Sequence, residues 1–142
     1  MLSDPNFLHQ GERAYLVYGL VSKRLRSPAL SIAQLPPVDG IVLLHMHGDH
    51  WDRVAQRDLD HTLPVVTTPH AAKRLRRRGF GAALGLGTWN THSITKETTT
   101  LTVTALPGRH APGWTSRLLP PVMGSMLEFS TADSPHPRGL YI

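Results

Sequence analysis

The sequence predicts an α/β fold, a mixed sheet with short helices, and three observations carry that reading. Two apolar runs, residues 39–44 and 64–68, read as buried strands. Each is followed by a segment with helix character, at 51–59 and 71–78. Residues 99–106 then alternate, with Leu101, Val103 and Ala105 on one face and Thr100, Thr102 and Thr104 on the other, the period of a half-buried antiparallel strand.

In chain order, residues 1–37 are punctuated by Pro5, Pro28, Pro36 and Pro37 and read as mostly loop with short elements. The one persuasive apolar patch there runs from Ala14 to Tyr18. After the first buried strand, the helix over 51–59 takes Asp49 or His50 as its start. Pro69 suits a first helical position, residues 71–78 are good helix formers, and Gly79 is placed to stop them. The glycine-rich stretch 79–87 reads as loop and lacks the spacing of a phosphate-cradling motif. Residues 124–129 and 140–142 read as two further strands joined by a polar turn over 132–138.

A chain of 142 residues, 40% hydrophobic and 18% charged, falls within the range of a single globular domain able to bury a core. With no cysteine, disulfides and thiolate metal ligands are excluded. The first ten residues lack an apolar signal region and no run is long enough to cross a bilayer, so a cytoplasmic location is the expectation. The net charge is +5 with a pI near 10.2, much of it from residues 73–78. At helical spacing that run reads as a solvated face. Neither aromatic interleaving nor a helix-turn-helix pattern accompanies it, so nucleic acid is not the expected partner.

Chemistry concentrates in His45, Met46, His47, Gly48, Asp49 and His50, four metal-competent side chains in six positions directly after an apolar strand. If 43–47 is extended, the period of two sends His45 and His47 to one side, where two imidazoles can grip one ion. Gly48 lets the backbone turn closely, so Asp49 and His50 can curl toward the same locus or a second ion beside it. Imidazole with carboxylate suits Zn²⁺, Fe²⁺ or Mn²⁺, and the lack of thiolate argues against a purely structural zinc site. Four polar side chains satisfied by loop hydrogen bonds is the bland alternative, and it is disfavoured because buried imidazoles and a carboxylate are hard to satisfy without a cation.

This H-x-H-x-D-H pattern at a strand end resembles the hallmark of the metallo-β-lactamase-fold hydrolase superfamily. His110, at the end of the strand over 99–106, stands where that family's next metal-binding histidine is expected. Asp4, Pro5, Asn6 and Phe7, with residues 124–129 after a loop containing Trp114, are similar to the branch of N-acyl phosphatidylethanolamine phospholipase D and the L-ascorbate-6-phosphate lactonases. The resemblance implies an αββα sandwich and commonly two metal ions about 3.5 to 4 Å apart. It implies His45, His47 and His110 on the first ion and Asp49 and His50 on the second. The family's bridging aspartate and final histidine have no counterpart here; Asp133 lies in a predicted turn and is a poor substitute. By this resemblance residues 1–142 form one truncated domain whose first strands, upstream of Asp4, are missing.

Three imidazoles around zinc leave a fourth position for water, so a single-metal site holding about one ion per chain is expected. Asp49 would orient or deprotonate that water as general base. The implied reaction is attack of metal-bound hydroxide on an ester, phosphodiester or lactone, the basic balance favouring a small-molecule or lipid-like anionic substrate met by Arg109 and Trp114. The alternative is a catalytically inert fragment or metal-binding interaction module, with an open sheet edge at residues 140–142 available for homo-oligomer pairing. Asp4 reads equally as a turn residue or as a hydrogen-bond partner of a metal ligand. Asp52 could play the same supporting part, with an exposed first-turn carboxylate favoured by the helix dipole as the simpler account. His70 reads as a cap or surface residue, and nothing links His9, His61, His92 and His136 to the cluster.

Overall fold

The computed structural model describes the chain apart from residues 17, 110–118 and 133, and apart from the side chains of 134–137. Among the described residues the strands form two four-stranded sheets and a short hairpin. The first sheet is parallel and contains β1 (Leu2–Ser3), β4 (Ile41–Val42), β5 (Val65–Thr67) and β6 (Ala83–Gly85), in that spatial order. The second is antiparallel, ordered β10 (Ser134–Tyr141), β9 (Met123–Thr131), β8 (Thr99–Pro107) and β7 (Thr91–Lys96). The hairpin pairs β2 (Arg13–Tyr15) with β3 (Val21–Lys23).

Alternation along the parallel strands divides the core in two. Ile41, Leu43, Val65 and Ala83 pack with Ala55, Leu59, Ala72, Leu75 and Phe80, so this face carries the helices α1 (Arg53–Asp58) and α2 (Pro69–Arg76). Val42 and Val66 point the other way, onto Leu101, Val103, Ala105, Met123 and Leu127 of the second sheet. Because both faces are covered, β4 and β5 read as continuous apolar runs, whereas β8 alternates. The layers are helix, sheet, sheet: an α/β arrangement matching three of the four layers of the expected sandwich.

Helix α2 behaves as its sequence predicts. Thr68 caps it by accepting from the Ala71 N–H at 3.2 Å, Pro69 occupies the first turn, and Gly79 at φ +98° follows its end. Lys73, Arg74, Arg76, Arg77 and Arg78 are exposed, and His70 is an exposed first-turn residue.

Three expectations need correction, and one strand lies where the sequence predicts no element. Helix α1 starts neither at Asp49 nor at His50, because residues 47–50 form a turn; Asp52 is its N-cap, with its side chain accepting from the Ala55 N–H at 2.7 Å. Part of the 79–87 loop is strand β6, with Gly85 admitting the start of α2 so closely that a Cβ there would sit 2.5 Å from Pro69 Cα. The polar segment Thr91–Lys96 forms the edge strand β7, whose β-branched residues and terminal lysine suit an edge. The predicted turn over 132–138 is mostly strand β10; it tolerates Pro135 and Pro137 because it lies at the sheet edge and its register shifts between Ser134 and Arg138. Among the described residues, no helix is long and apolar enough to cross a membrane.

Candidate metal centre

Strand β4 delivers the histidine cluster but ends before it. The Leu43 N–H still donates to the Val66 carbonyl at 2.9 Å, and then the Thr67 hydroxyl takes the Leu43 carbonyl at 2.6 Å, closing the ladder with a side chain. Residues 44–47 are therefore not strand, which corrects the expected extension over 43–47. The chain turns instead, with the His50 and Trp51 N–H groups both donating to the His47 carbonyl, at 2.9 and 2.7 Å.

His45 and His47 nevertheless reach one side. Both are buried, at 6% and 8% exposure, and their rings lie 4.6 Å apart at a near-perpendicular 80°. Asp49, which is exposed, joins them: one ligand atom from each of His45, His47 and Asp49 lies within 4.8 Å of the others. Ligand atoms bound at 2.0–2.2 Å around one ion sit no more than about 4.2 Å apart, so this set closes on a divalent cation with small side-chain rotations. Neutral imidazole and carboxylate donors fit such an ion by type as well as by distance.

His50 stands beside this trio. Its ring lies 3.9 Å from that of His45, its Nδ1 is 2.8 Å from Asp4 Oδ2, and its Nε2 is 3.7 Å from Asp49 Oδ2. The hydrogen bond to Asp4 holds the His50 pKa above its usual value, burial pulls the other way, and the Asp4 and Asp49 charges add to the rise. A carboxylate on one ring nitrogen fixes the tautomer and leaves the other nitrogen directed elsewhere, as for metal-bound histidines. Asp4 is thus a partner of the cluster as well as a turn residue. It adopts the left-handed conformation, φ 43°, and its Oδ1 accepts from the Leu44 N–H at 2.8 Å, carrying the β1–β4 ladder one step further through a side chain.

The N-terminal segment braces the rest of the loop. Asn6 Nδ2 donates to the Gly48 carbonyl at 2.9 Å. Asp52 Oδ2 accepts from the Leu8 N–H at 2.8 Å and from the Phe7 N–H. The expectation of an exposed Asp52 is wrong, for the residue is 3% exposed and gathers three backbone donors. Gly48 donates its N–H to the Tyr15 carbonyl at 2.8 Å, and a Cβ at Gly48 would lie 2.5 Å from that same oxygen. Sequence reasoning missed Asn6, Tyr15 and the reach of Asp52; the one local signal is the glycine inside the motif.

On the far side of the cluster, Pro107 of β8 pairs with Met123, whose N–H donates to the Leu44 carbonyl at 3.1 Å. Strand β8 therefore ends at the rim where the metal loop begins, and Arg109, two residues beyond, is exposed. His110, Trp114 and Asp133 lie outside the described residues, as does the side chain of His136. The other histidines are elsewhere: His61 stacks on Phe80 at 4.1 Å with Nε2 3.0 Å from the Gln56 carbonyl, and His92 is on β7.

A family model described as the beta-lactamase superfamily domain matches residues 10–135. The chain belongs to the beta-lactamase superfamily. Two solved structures share the fold of this superfamily member at a TM-score of 0.65 each. One is of "a possible metal-dependent hydrolase" from Veillonella parvula, 23% identical, covering 97% of this chain and 53% of that one. The other is of an isothiocyanate hydrolase from Delia radicum gut bacteria, 21% identical, covering 90% of this chain and 50% of that one. The chain thus spans about half the length of these structures. No curated protein matches it.

Proposed function

We propose that this chain is part of a metal-dependent hydrolase. The observation that carries the reading is the donor set of His45, His47 and Asp49 on a strand-end loop of a beta-lactamase superfamily domain. Both structural neighbours are named as hydrolases, which supports the reaction class. Zn²⁺ is the ion of choice for two imidazoles and a carboxylate, with Mn²⁺ or Fe²⁺ as alternatives. When bound, such an ion supplies Lewis acidity and brings the pKa of a coordinated water toward neutrality.

In this reading His45 and His47 hold the ion, with His110 as a third imidazole and His50 beside them. Asp49 accepts the proton of the attacking water, and the nearby His50 Nε2 orients its carboxylate. Arg109 and Trp114 meet the substrate, an ester, phosphodiester or lactone carrying an anionic group. The branch of phospholipid phosphodiesterases and sugar-phosphate lactonases is one home for that chemistry.

A zinc-loaded, dialysed sample is expected to retain about one ion per chain and to cleave bis-p-nitrophenyl phosphate, with His47→Ala losing both. A protein that retains no metal refutes the proposal. Coverage of only 53% and 50% of the matched structures favours a second reading, a metal-binding module that is inert by itself. Zinc retention without turnover selects that reading.

A further inference from the structure

The densest run of positive charge in this chain is one short stretch: five of the six residues from Lys73 to Arg78 are basic, a third of the 15 Lys and Arg. The structure places these five at one end of one helix, with Lys23, Arg24 and Arg26 a smaller basic group elsewhere. Helix α2 follows the C-terminal end of β5 and runs back to the start of β6, where Arg76 donates to the Ala83 carbonyl at 2.6 Å. Its N-terminus therefore lies at the rim of the metal loop, and its basic end lies at the opposite rim, about 12 Å away along the axis.

Neighbouring acids do not neutralise it. Asp58 gives both oxygens to Arg57, at 2.6 and 2.7 Å, and Asp60 accepts from the Thr62 N–H and hydroxyl. Among the described residues, none of the five cations has a carboxylate within ion-pair reach. Burial pushes the Arg78 pKa down, and the charge of Arg74 adds to the fall. One or two cations would complement the dipole of an eight-residue helix, so five exceed that need.

We infer that the exposed face formed by Lys73, Arg74, Arg77 and Arg78 binds the phosphate backbone of duplex nucleic acid, at a site separate from the metal loop. Three of the four are arginines, whose planar forks suit phosphate oxygens. The apolar side of α2, Ala71, Ala72 and Leu75, is buried in the core and has nothing to insert into a lipid layer. The patch is one helix end, and Asp60 lies at its edge, next to His61, which lies against Gly79. A cylinder with one negative charge per about 1.7 Å of axis can track the cations, whereas a flat anionic membrane would also meet that carboxylate.

The test is fluorescence anisotropy of a labelled mixed-sequence DNA duplex titrated with the full chain. Four phosphate contacts give a log–log salt slope near about −3.6, a loss of about 150-fold in affinity between about 50 and 200 mM salt. Neutralising Lys73, Arg74, Arg77 and Arg78 to Gln abolishes binding. Neutralising Arg13, Lys23, Arg26 and Arg138 to Gln lowers the net charge equally at exposed sites elsewhere and leaves most of the binding intact. Circular dichroism of both variants separates lost contacts from lost folding, and a quadruple α2 variant that unfolds is replaced by Arg74→Gln with Arg77→Gln. The inference is overturned by equal losses in both variants, by no binding at the lower salt, or by binding to phosphatidylserine vesicles without binding to the duplex.

Discussion

Removing the Asp52 carboxylate should cost a large share of the stability of this domain, although the residue is neither apolar nor a metal donor. Three backbone N–H groups converge on it: Ala55 at 2.7 Å, Leu8 at 2.8 Å, and Phe7. Loss of an N-cap alone costs about 1 kcal/mol. Hydrogen bonds to a charged acceptor contribute about 1.5–3 kcal/mol each, and donors left dry are expensive. Because the two bonds to Leu8 and Phe7 share one oxygen, they are worth less than twice that, and Asp52→Ala is expected to lose about 4 kcal/mol. A domain of this length has roughly 7–21 kcal/mol in total. Asp52→Asn keeps one acceptor oxygen and should lose about half as much. Urea denaturation checks this, with a midpoint about 2 M lower for the alanine variant at an unchanged slope. A loss below about 1 kcal/mol, or an asparagine variant as damaged as the alanine one, would refute the view that a single carboxylate pins residues 7 and 8 to α1.

Three further outcomes are expected. Gly48→Ala places a methyl 2.5 Å from the Tyr15 carbonyl oxygen and 2.8 Å from its nitrogen, so it should lower stability by about 3 kcal/mol and weaken zinc retention together, read by thermal melting and by metal analysis after dialysis. Asp4→Asn removes the main cause of the raised His50 pKa, so an NMR titration of the metal-free protein should show His50 moving down. The raised value contributes stability that is complete below the unfolded histidine pKa and fades as pH rises through the folded one; in the variant that dependence between mildly acidic and neutral pH should flatten. Ser125→Ala should be neutral or stabilising by up to about 1 kcal/mol, since the hydroxyl is fully buried with no hydrogen-bond partner among the described residues; a loss above that amount would reveal one.

What the sequence makes legible is what is local. The runs around Ile41 and Val65 announce themselves because both faces of each strand are buried, so no charged residue interrupts them and Thr67 is the one polar side chain in the two strands. Helix α2 is bounded by Pro69 and Gly79, residues whose backbone chemistry acts within one turn. The metal motif is legible for the same reason, its three converging donors falling within five consecutive positions. Strand β6 is hidden by the glycine that lets Pro69 approach, and β7 by its polar edge position, where Ile94 is the one aliphatic residue. Strand β10 is hidden by prolines that a central strand would reject.

The bracing of the metal loop is the least legible part, and its physical reason is sequence separation. Asp4 to His50, Asn6 to Gly48 and Phe7 to Asp52 span 46, 42 and 45 residues, and no local pattern says which residue of one segment meets which of the other. Such contacts form only after the intervening chain has closed, at an entropic cost that grows slowly with its length. The turn over 47–50 has few backbone bonds of its own, so its order derives from the segment that wraps it. In that division of labour Asp4, Asn6, Tyr15 and Asp52 hold the backbone beneath the converging His45, His47 and Asp49. A substitution in the wrapping segment should therefore act on metal affinity through the ordering of the loop rather than through the ligands, since a preformed donor set avoids the cost of fixing its side chains upon binding.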